Sequence, residues 1–384
     1  MKAASGTAQG KIVFLHSSNE MYGADKILLE VIRALPDEDR SRCVVWLPDD
    51  VPTGQNSLSR ALDAMEVSNE IVPMAVLRRR YLKVSGLGPL VARMSRTFIK
   101  LRATRPDVVY CTTSAMVLCL PMARLLRVKT IILHMQEIWS PREAGVLGLF
   151  ARAARRIFCI SNAARDSLPK QLKERADLLV NAHQDNKTTL VPVSVDPQPL
   201  RFVVASRWNA WKGHTPLLAA WDTEFCPGEL VIMGGPPAVG TGVDVQSLAS
   251  RVRHSNRITI VGEVDDISPH IDAADFLILP SEQPEPFGLV LLEAFARGRA
   301  VVATAAGGVV DIVSDGVDGE LYPIGQPGAL ITSLKSLDRA AAVRMGANAR
   351  TTYEKRFSIE AFRTRFQFLW AQEIVSVSPS RLNA

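Results

Sequence analysis

Two glutamates eight positions apart, Glu285 and Glu293, flank a predicted helix start in "LPSEQPEPFGLVLLEAFARG". The N–H groups at a helix start attract anions, and a carboxylate there would repel a bound anion. Each glutamate is therefore expected to bind something neutral, and a carboxylate can accept hydrogen bonds from two neighbouring sugar hydroxyls. Polyols on both sides of a diphosphate describe a nucleotide sugar. Taken alone, Glu293 also fits a first-turn residue that complements the helix dipole.

Two cations follow an earlier predicted strand. In "LRFVVASRWNAWKGH", the strand ends just before Arg207, and Lys212 comes five residues later. Arginine can bind two phosphate oxygens at once, and lysine adds a point charge, so the pair could hold a diphosphate. Because arginine and lysine are common on protein surfaces, this signal is weak without the glutamates.

These residues need a scaffold that brings strand ends together, and the apolar pattern predicts one. Short apolar runs such as "KIVFLH", "DVVYCTT", "ELVIMGG" and "FLILPS" alternate with helical stretches, which indicates parallel strands buried on both faces. The pattern restarts after a proline-containing linker near 182–199. The sequence predicts two doubly wound α/β domains, residues 1–190 and 191–360, and a C-terminal helix in 361–384 packing back on the first. Ligands of such sheets bind at the carboxyl ends of the strands, so the two domains are expected to face each other across a cleft.

The composition limits the class of protein and the compartment in which we expect it. The 384 residues are 47% hydrophobic, which is enough for two cores. No run is long enough to span a membrane, the start does not resemble a signal peptide, and five cysteines without a CxxC pair suggest buried free thiols. We therefore expect a cytoplasmic protein. The only Asp-x-Asp, Asp37-Glu38-Asp39, falls in a predicted turn after a helix, so no metal site is expected.

The net charge of +6 is concentrated in the first half, where no acidic residue lies between Glu70 and Asp107. A solvated loop and a membrane-binding cluster are both compatible with this basic window. We expect an anionic membrane surface, the inner face of the membrane, as a partner of its most basic part. Nucleic acid is not expected, since no recognition motif accompanies the charge. The cluster consists of Arg78, Arg79, Arg80 and Lys83.

The segment "EPFGLVLLE" resembles the E-x7-E motif of retaining GT-B glycosyltransferases of the large family 4, the glycosyl transferases group 1 type. In the second half, "SRWNAWKG", "VIMGGPP", "ITIVGEVDD", "ADFLILPS" and "AAGGVVDIVSDGVDGELY" are similar to further landmarks of that family, in the same order. The first half is similar only in "HSSNEMYGADKILLEVIRAL" and "ILHMQE". The resemblance implies the GT-B fold and transfer of a hexose from a nucleotide-diphosphate sugar, without metal or cofactor and with retention of anomeric configuration.

Position by position, the resemblance places Glu293 on the nucleotide ribose and Glu285 against the donor hexose. It also assigns backbone contacts with sugar hydroxyls and phosphate to Phe287, Gly288 and Leu289.

The remaining assignments concern both halves of the chain. Arg207 and Lys212 would stabilise the diphosphate, and the backbone near Val264 would meet the base. His134 would contact the transferred sugar, although a core histidine held by neighbouring groups remains an alternative. Gly23 would let the first loop approach the donor phosphates or the acceptor.

The first loop reads Tyr22-Gly23-Ala24-Asp25 where the family often has Gly-Gly-Ala-Glu, which leaves the acceptor open. We expect a cell-envelope glycan or lipid-linked acceptor, as in polysaccharide biosynthesis. The alternatives are a soluble small-molecule glycosyltransferase, a sugar-nucleotide epimerase of GT-B shape, and a catalytically silent nucleotide-sugar sensor. The epimerase would need additional carboxylates or histidines in the site, and the sensor would not need all four of the motif residues Arg207, Lys212, Glu285 and Glu293.

Overall fold

A computed structural model describes residues 10–51, 54, 56–185, 189–194, 199–237, 241–326 and 328–375. The chain divides into two compact units, Met1–Val180 with Arg363–Ala384, and Asn181–Phe362. The sequence analysis placed the corresponding boundaries at 190 and 360. Parts of the predicted linker, 186–188 and 195–198, and the end of the predicted C-terminal helix, 376–384, lie outside the described residues.

The first unit contains a seven-stranded sheet in the order β3-β2-β1-β4-β5-β6-β7, and every neighbouring pair is parallel. The central strands are buried along their whole length, as their continuous apolar runs predicted. The strands are β1 (Ile12–Leu15), β2 (Cys43–Pro48), β3 (Ser68–Val72), β4 (Val108–Cys111), β5 (Thr130–Met135), β6 (Arg156–Cys159) and β7 (Ala176–Leu178).

The helices of this unit cover both faces of the sheet. Crossovers between parallel strands are right-handed, so connections that run in one direction along the sheet lie on one face. The helices α4, α5 and α6 make such connections, from β3 to β4, β4 to β5 and β5 to β6, and each contacts the next. The helices are α1 (Gly23–Ala34), α2 (Asp37–Arg40), α3 (Leu58–Ala64), α4 (Val84–Thr104), α5 (Cys119–Leu125), α6 (Pro141–Ala151), α7 (Asn162–Asp166) and α8 (Lys170–Lys173).

The second unit repeats the design with a six-stranded parallel sheet in the order β10-β9-β8-β11-β12-β13. Its core includes Phe202, which stacks on Phe276 and meets Trp221 edge-on, with ring centroids 5.8 Å apart in each pair. The strands are β8 (Arg201–Ala205), β9 (Glu229–Met233), β10 (Ile258–Gly262), β11 (Phe276–Leu279), β12 (Ala300–Thr304) and β13 (Gly319–Tyr322). The helices are α9 (His214–Ala220), α10 (Val245–Ala249), α11 (Ser268–Asp272), α12 (Leu289–Ala296), α13 (Val309–Ile312), α14 (Ala329–Ser336) and α15 (Arg339–Thr352).

The last helix, α16 (Ile359–Val375), continues from the second unit into the first. Within the first unit, the indole N–H of Trp370 donates to Asp39 at 2.7 Å. Glu373 accepts from Nε of Arg155 at 2.8 Å and from Nε of Arg156 at 2.7 Å. These contacts fix the helix through side chains that are far apart in the sequence.

Candidate active site

The order of the strands locates the candidate site of the second unit. Strand order reverses between β8 and β11, and the crevice at such a reversal is where doubly wound sheets bind ligands. Arg207 and Lys212 follow β8, and Glu285 follows β11. The fold therefore brings the cation loop and the first glutamate to the same edge of the sheet.

The loops that follow these two strands interlock through their backbones. The N–H of Glu282 donates to the carbonyl of Trp211 at 2.8 Å. Gly213 has φ +75°, and a Cβ at this position would lie 1.7 Å from the carbonyl oxygen of Pro280. Only glycine permits both this conformation and this approach, so "WKG" needs its glycine for packing.

A direct ion pair in the site joins Lys212 and Glu285. The lysine Nζ lies 2.6 Å from Oε1 of Glu285, and the hydroxyl of Ser281 donates to the same oxygen. Glu285 is only 5% exposed. The ammonium also lies 4.2 Å from the ring centroid of Trp211, within cation–π range. The structure thus holds a largely buried cation directly against a buried carboxylate.

The backbone around Glu285 is equally constrained. Its carbonyl accepts from the N–H of Gly308 at 2.7 Å, and it forms a β-bridge with Gly307. Gly307 has φ +69°, and a Cβ there would lie 2.1 Å from the Glu285 carbonyl oxygen. The Gly-Gly pair after β12 therefore supports the glutamate segment.

Helix α12 begins at this segment as the sequence predicted. Its N-cap, Gly288, has φ +102° and no side-chain hydrogen bond, so the first N–H groups have no cap from that residue. The ring of Phe287 is buried and meets Phe357 edge-on at 6.2 Å, which fixes the entry to the helix. Leu289 is the first helical residue, and Glu293 lies half-buried in the next turn.

The other predicted residues of this unit are placed less tightly. Arg207 is exposed two residues beyond the end of β8. Val264 is half-buried in the loop after β10, which is the edge strand of the sheet. Their predicted roles toward phosphate and base stay predictions.

In the first unit, His134 is a buried residue of β5, 1% exposed. Its Nδ1 lies 3.0 Å from the hydroxyl of Tyr110, and its Nε2 lies 3.1 Å from the side-chain amide nitrogen of Gln136. Burial lowers the pKa of His134 to about 3, so the ring is neutral near pH 7. Its predicted sugar contact stays a prediction, as does the role of Gly23, which is the first residue of α1.

A second polar cluster lies where the strand order of the first unit reverses, and the sequence analysis assigned it no role. His16 follows β1; its Nδ1 lies 2.6 Å from the hydroxyl of Thr112 and its Nε2 lies 2.9 Å from Oδ1 of Asp25. Asp25 also accepts from the hydroxyl of Ser18 and, at 3.1 Å, from the N–H of Tyr22. Burial raises the pKa of Asp25, but these hydrogen bonds outweigh it and the pKa lies below its usual value. A histidine at a strand end followed by an acid nine residues later was the available signal.

Two arginines of the predicted membrane cluster are paired with an acid that is distant in the sequence. Arg78 donates to both carboxylate oxygens of Asp50, at 2.9 and 2.8 Å, and Arg80 pairs with the same carboxylate. The hydroxyl of Tyr81 adds a bond at 2.8 Å. Burial raises the pKa of Asp50, and these donors lower it to about 2 overall. The lack of acids between Glu70 and Asp107 in the sequence therefore does not leave Arg78 and Arg80 without an acidic partner. Lys83 is exposed, and the side chain of Arg79 lies outside the described part.

Several further features bear on the sequence predictions. All five cysteines are free thiols; four are buried and Cys226 is half-buried. Within the described ranges, no three His, Cys, Asp or Glu side chains are grouped closely enough to hold a metal ion. No helix in those ranges has the length and apolarity needed to cross a bilayer.

The sequence model of the family described as glycosyl transferases group 1 matches residues 199–338. The chain is 33% identical over 198 residues to a D-inositol 3-phosphate glycosyltransferase of Mycolicibacterium gilvum, covering 50% of this chain and 44% of the relative. It is 32% identical over 197 residues to a lipopolysaccharide 1,2-N-acetylglucosaminetransferase of Salmonella typhimurium, covering 48% and 51%. The matches therefore span about half the length of these curated relatives.

Among solved structures, Anabaena HepE in complex with UDP superposes with a TM-score of 0.76 at 21% identity. The superposition covers 94% of this chain and 100% of the other. At this identity the likeness shows the fold, and it confirms the predicted two-unit α/β architecture of the GT-B type.

Proposed function

We propose that this chain, whose residues 199–338 match the model of the glycosyl transferases group 1 family, is an enzyme that transfers a hexose from a nucleotide-diphosphate sugar to an acceptor. The observation that carries the proposal is the contact of 2.6 Å between Lys212 and Glu285 at the strand-order reversal. It presents a cation suited to phosphate and a carboxylate suited to hydroxyls side by side, next to a helix start whose N-cap residue, Gly288, supplies no side-chain hydrogen bond.

In the proposed reaction, negative charge develops on the departing nucleoside diphosphate. Lys212, Arg207 and the first N–H groups of α12 compensate this charge, and the interlocked loops fix the backbone beside Lys212 before the reaction. When the diphosphate binds, the ammonium of Lys212 interacts with a phosphate oxygen as well as with Glu285. The carboxylate of Glu285 is then available to the hydroxyls of the hexose.

The nucleoside is proposed to bind one turn further along α12, where Glu293 lies. Glu293 accepts hydrogen bonds from the ribose hydroxyls, and the backbone near Val264 contacts the base. Relatives in solved complexes support a nucleotide donor, since HepE was crystallised with UDP.

We further propose retention of configuration, with the acceptor attacking from the face that the diphosphate leaves. The departing phosphate oxygen takes the proton of the acceptor hydroxyl, so no protein base is needed. This agrees with His134, whose pKa of about 3 makes it a weak base that is suited to hydrogen bonding. Gly23, at the start of α1, is proposed to contact the donor phosphates or the acceptor.

Charge compensation by protein groups makes the proposed reaction independent of divalent metal. Turnover is expected to continue in excess EDTA. Loss of turnover on chelation, with recovery on adding magnesium or manganese, would contradict this part of the proposal.

For the acceptor, we propose a cell-envelope glycan or a lipid-linked precursor. The support is the similarity to a lipopolysaccharide N-acetylglucosaminetransferase. The similarity to an enzyme named for inositol 3-phosphate favours the competing choice, a small soluble acceptor.

The deciding experiment is a panel of nucleotide-diphosphate sugars read by thermal shift and then by turnover. A donor that binds the folded chain raises the melting temperature with increasing concentration. A transferase then consumes the donor faster when acceptor is added, whereas an epimerase converts it without acceptor and a sensor leaves it intact. Absence of any stabilisation across the panel would reject the donor assignment.

A further inference from the structure

Helix α4 is apolar on two sides, and only one of them faces the core. Leu90, Thr97 and Leu101 are buried. On the other side, Leu87, Val91 and Ile99 are 50 to 65% exposed and recur at intervals of four and eight residues. Residues at this spacing form one stripe along a helix. Packing within the described residues therefore leaves an apolar stripe in solvent.

The stripe continues onto the two neighbouring helices. Helices α4, α5 and α6 lie on the same face of the sheet, as their connections require. These three helices carry six of the fifteen large hydrophobic side chains that are exposed among the described residues, so the exposed apolar surface is concentrated here. We define the α4–α6 face by these six side chains: Leu87, Val91, Ile99, Leu125, Val146 and Leu149.

Several cations on or beside this face have no acidic partner among the described residues, although Lys100 of α4 pairs with Glu70 and α6 carries the exposed Glu143. No acid occurs between Glu70 and Asp107, and α5 has none either. By contrast, Arg78, Arg80 and Arg93 are already paired with Asp49 or Asp50. Six exposed cations on or next to α4 and α5 form no ion pair with any residue that the structure describes, namely Lys83, Arg96, Arg102, Arg105, Arg124 and Arg127.

A shallow hollow of about 630 Å³ lies at the carboxyl end of α4. Phe98, Ile99 and Ala103 give it an apolar lining, and Arg102 and Arg105 also line it. Two guanidinium groups beside an apolar lining match a phosphate headgroup with the start of its hydrocarbon chains.

We propose that the α4–α6 face is a peripheral binding surface for lipid bilayers with anionic headgroups. Aliphatic side chains insert among the headgroups while the surrounding cations attract the negative surface, which is the pattern of interfacial helices. A second copy of the chain would bring like charges together. Single-stranded nucleic acid stacks on aromatic side chains, and the exposed side chains of this face are aliphatic. The surface is independent of the proposed reaction, so either can fail without the other.

The test is cosedimentation of the full chain with vesicles of pure phosphatidylcholine or of phosphatidylcholine with phosphatidylglycerol, at low and high salt. The wild type is expected to sediment only with the anionic vesicles and to be released by salt, which screens the attraction. Recovery in the supernatant with both kinds of vesicle, or equal binding to both, overturns the proposal.

Charge-reversal variants test whether the α4–α6 face is the part of the protein that binds the vesicles. Each cation near an anionic surface raises partitioning by about fivefold, so reversing three of them should lower it at least about tenfold. The charge variant is Arg96→Glu, Arg102→Glu and Arg127→Glu. Its matched control reverses three exposed cations of the second unit and gives the same net charge, with Arg251→Glu, Arg253→Glu and Lys355→Glu. Equal loss in variant and control overturns the assignment.

The apolar contribution is tested at exposed positions, where polar substitutions should leave the core intact. Val91→Asn with Ile99→Asn is expected to lower partitioning about tenfold, since two buried aliphatic side chains are lost to the bilayer. The control, Val317→Asn with Val343→Asn, changes exposed valines of the second unit and should bind like the wild type. Unchanged binding of the first pair overturns the insertion of this face. Circular dichroism confirms that all variants are folded.

Discussion

At the scale of single residues, Lys212 is held from two directions before any ligand arrives. Its ammonium lies 2.6 Å from Glu285 and 4.2 Å from the ring centroid of Trp211. A flexible lysine loses considerable rotamer freedom when it is ordered. Here that ordering is already present, so the cation can meet a diphosphate without further rearrangement.

The first prediction concerns the phosphate cations. Lys212→Ala or Arg207→Ala is expected to lower kcat at least about 10²-fold, because each removes a positive charge that stabilises the leaving diphosphate. Donor binding should weaken less. Steady-state kinetics measure both, and Lys355→Ala, an exposed lysine elsewhere in the unit, serves as control. Near-normal turnover in both variants would remove these cations from the mechanism.

The second prediction separates the two glutamates. Glu293→Gln should weaken binding of the free nucleoside diphosphate by about 1–3 kcal/mol, because a charge-assisted hydrogen bond to the ribose is lost. Glu285→Gln should leave that binding equal or tighter, because Lys212 no longer has a carboxylate partner. Glu285→Gln should impair binding of the intact sugar donor only. Calorimetry with both ligands decides this, and identical behaviour of the two variants would contradict the assignment.

At the scale of elements, the site depends on how two loops are fastened together. Gly213 ends the loop after β8, and a Cβ there would collide with the carbonyl of Pro280 after β11. Gly316 has a nearly identical φ, +71° against +75°, but a Cβ there would meet nothing within 4 Å. The two glycines thus share the conformational cost of substitution and differ in the collision.

The third prediction uses this pair. Gly316→Ala is expected to cost about 1–2 kcal/mol of stability from its backbone conformation alone. Gly213→Ala should cost more, and kcat should fall, because the loops that carry Lys212 and Glu285 must separate. Urea unfolding and kinetics of both variants measure the difference. Equal stability and full activity of the two variants would show that the interlocked loops do not position the site.

Elements of this fold are well predicted by the sequence, because parallel strands buried on both faces appear as short continuous apolar runs. The strand ends that carry Lys212 and Glu285 follow directly from those runs. The ion pair between them, 73 residues apart, does not, since a pattern of residue types contains no distances. The same reason explains why Asp50 was missed as the partner of Arg78 and Arg80. The sequence also does not show which side of helix α4 faces the core, because its apolar residues occupy both sides.

At the scale of the whole molecule, each unit contains a deeply buried histidine whose pKa is lowered by its burial. Burial lowers the pKa of His134 in the first unit to about 3. Burial, aided by the charge of Lys212, lowers the pKa of His214 in the second unit to about 4. Below the ordinary histidine pKa, about 6.5, the unfolded chain binds protons that the folded units do not. The free energy of unfolding is therefore unaffected by these groups above about pH 7 and decreases as the pH falls toward these lowered pKa values.

The last prediction follows from this linkage. Between pH 7 and pH 5, His134 and His214 are each expected to reduce the stability of their own unit by about 2 kcal/mol. His134→Gln should flatten the pH dependence of the first unit, and His214→Gln that of the second, even if each variant is less stable at pH 7. Calorimetric unfolding at both pH values provides the measurement, because the change with pH is compared within each variant. His270→Gln, at a half-buried position of α11, is the control and should keep the slope of the wild type. If both core variants keep that slope as well, the acid sensitivity of the molecule arises elsewhere.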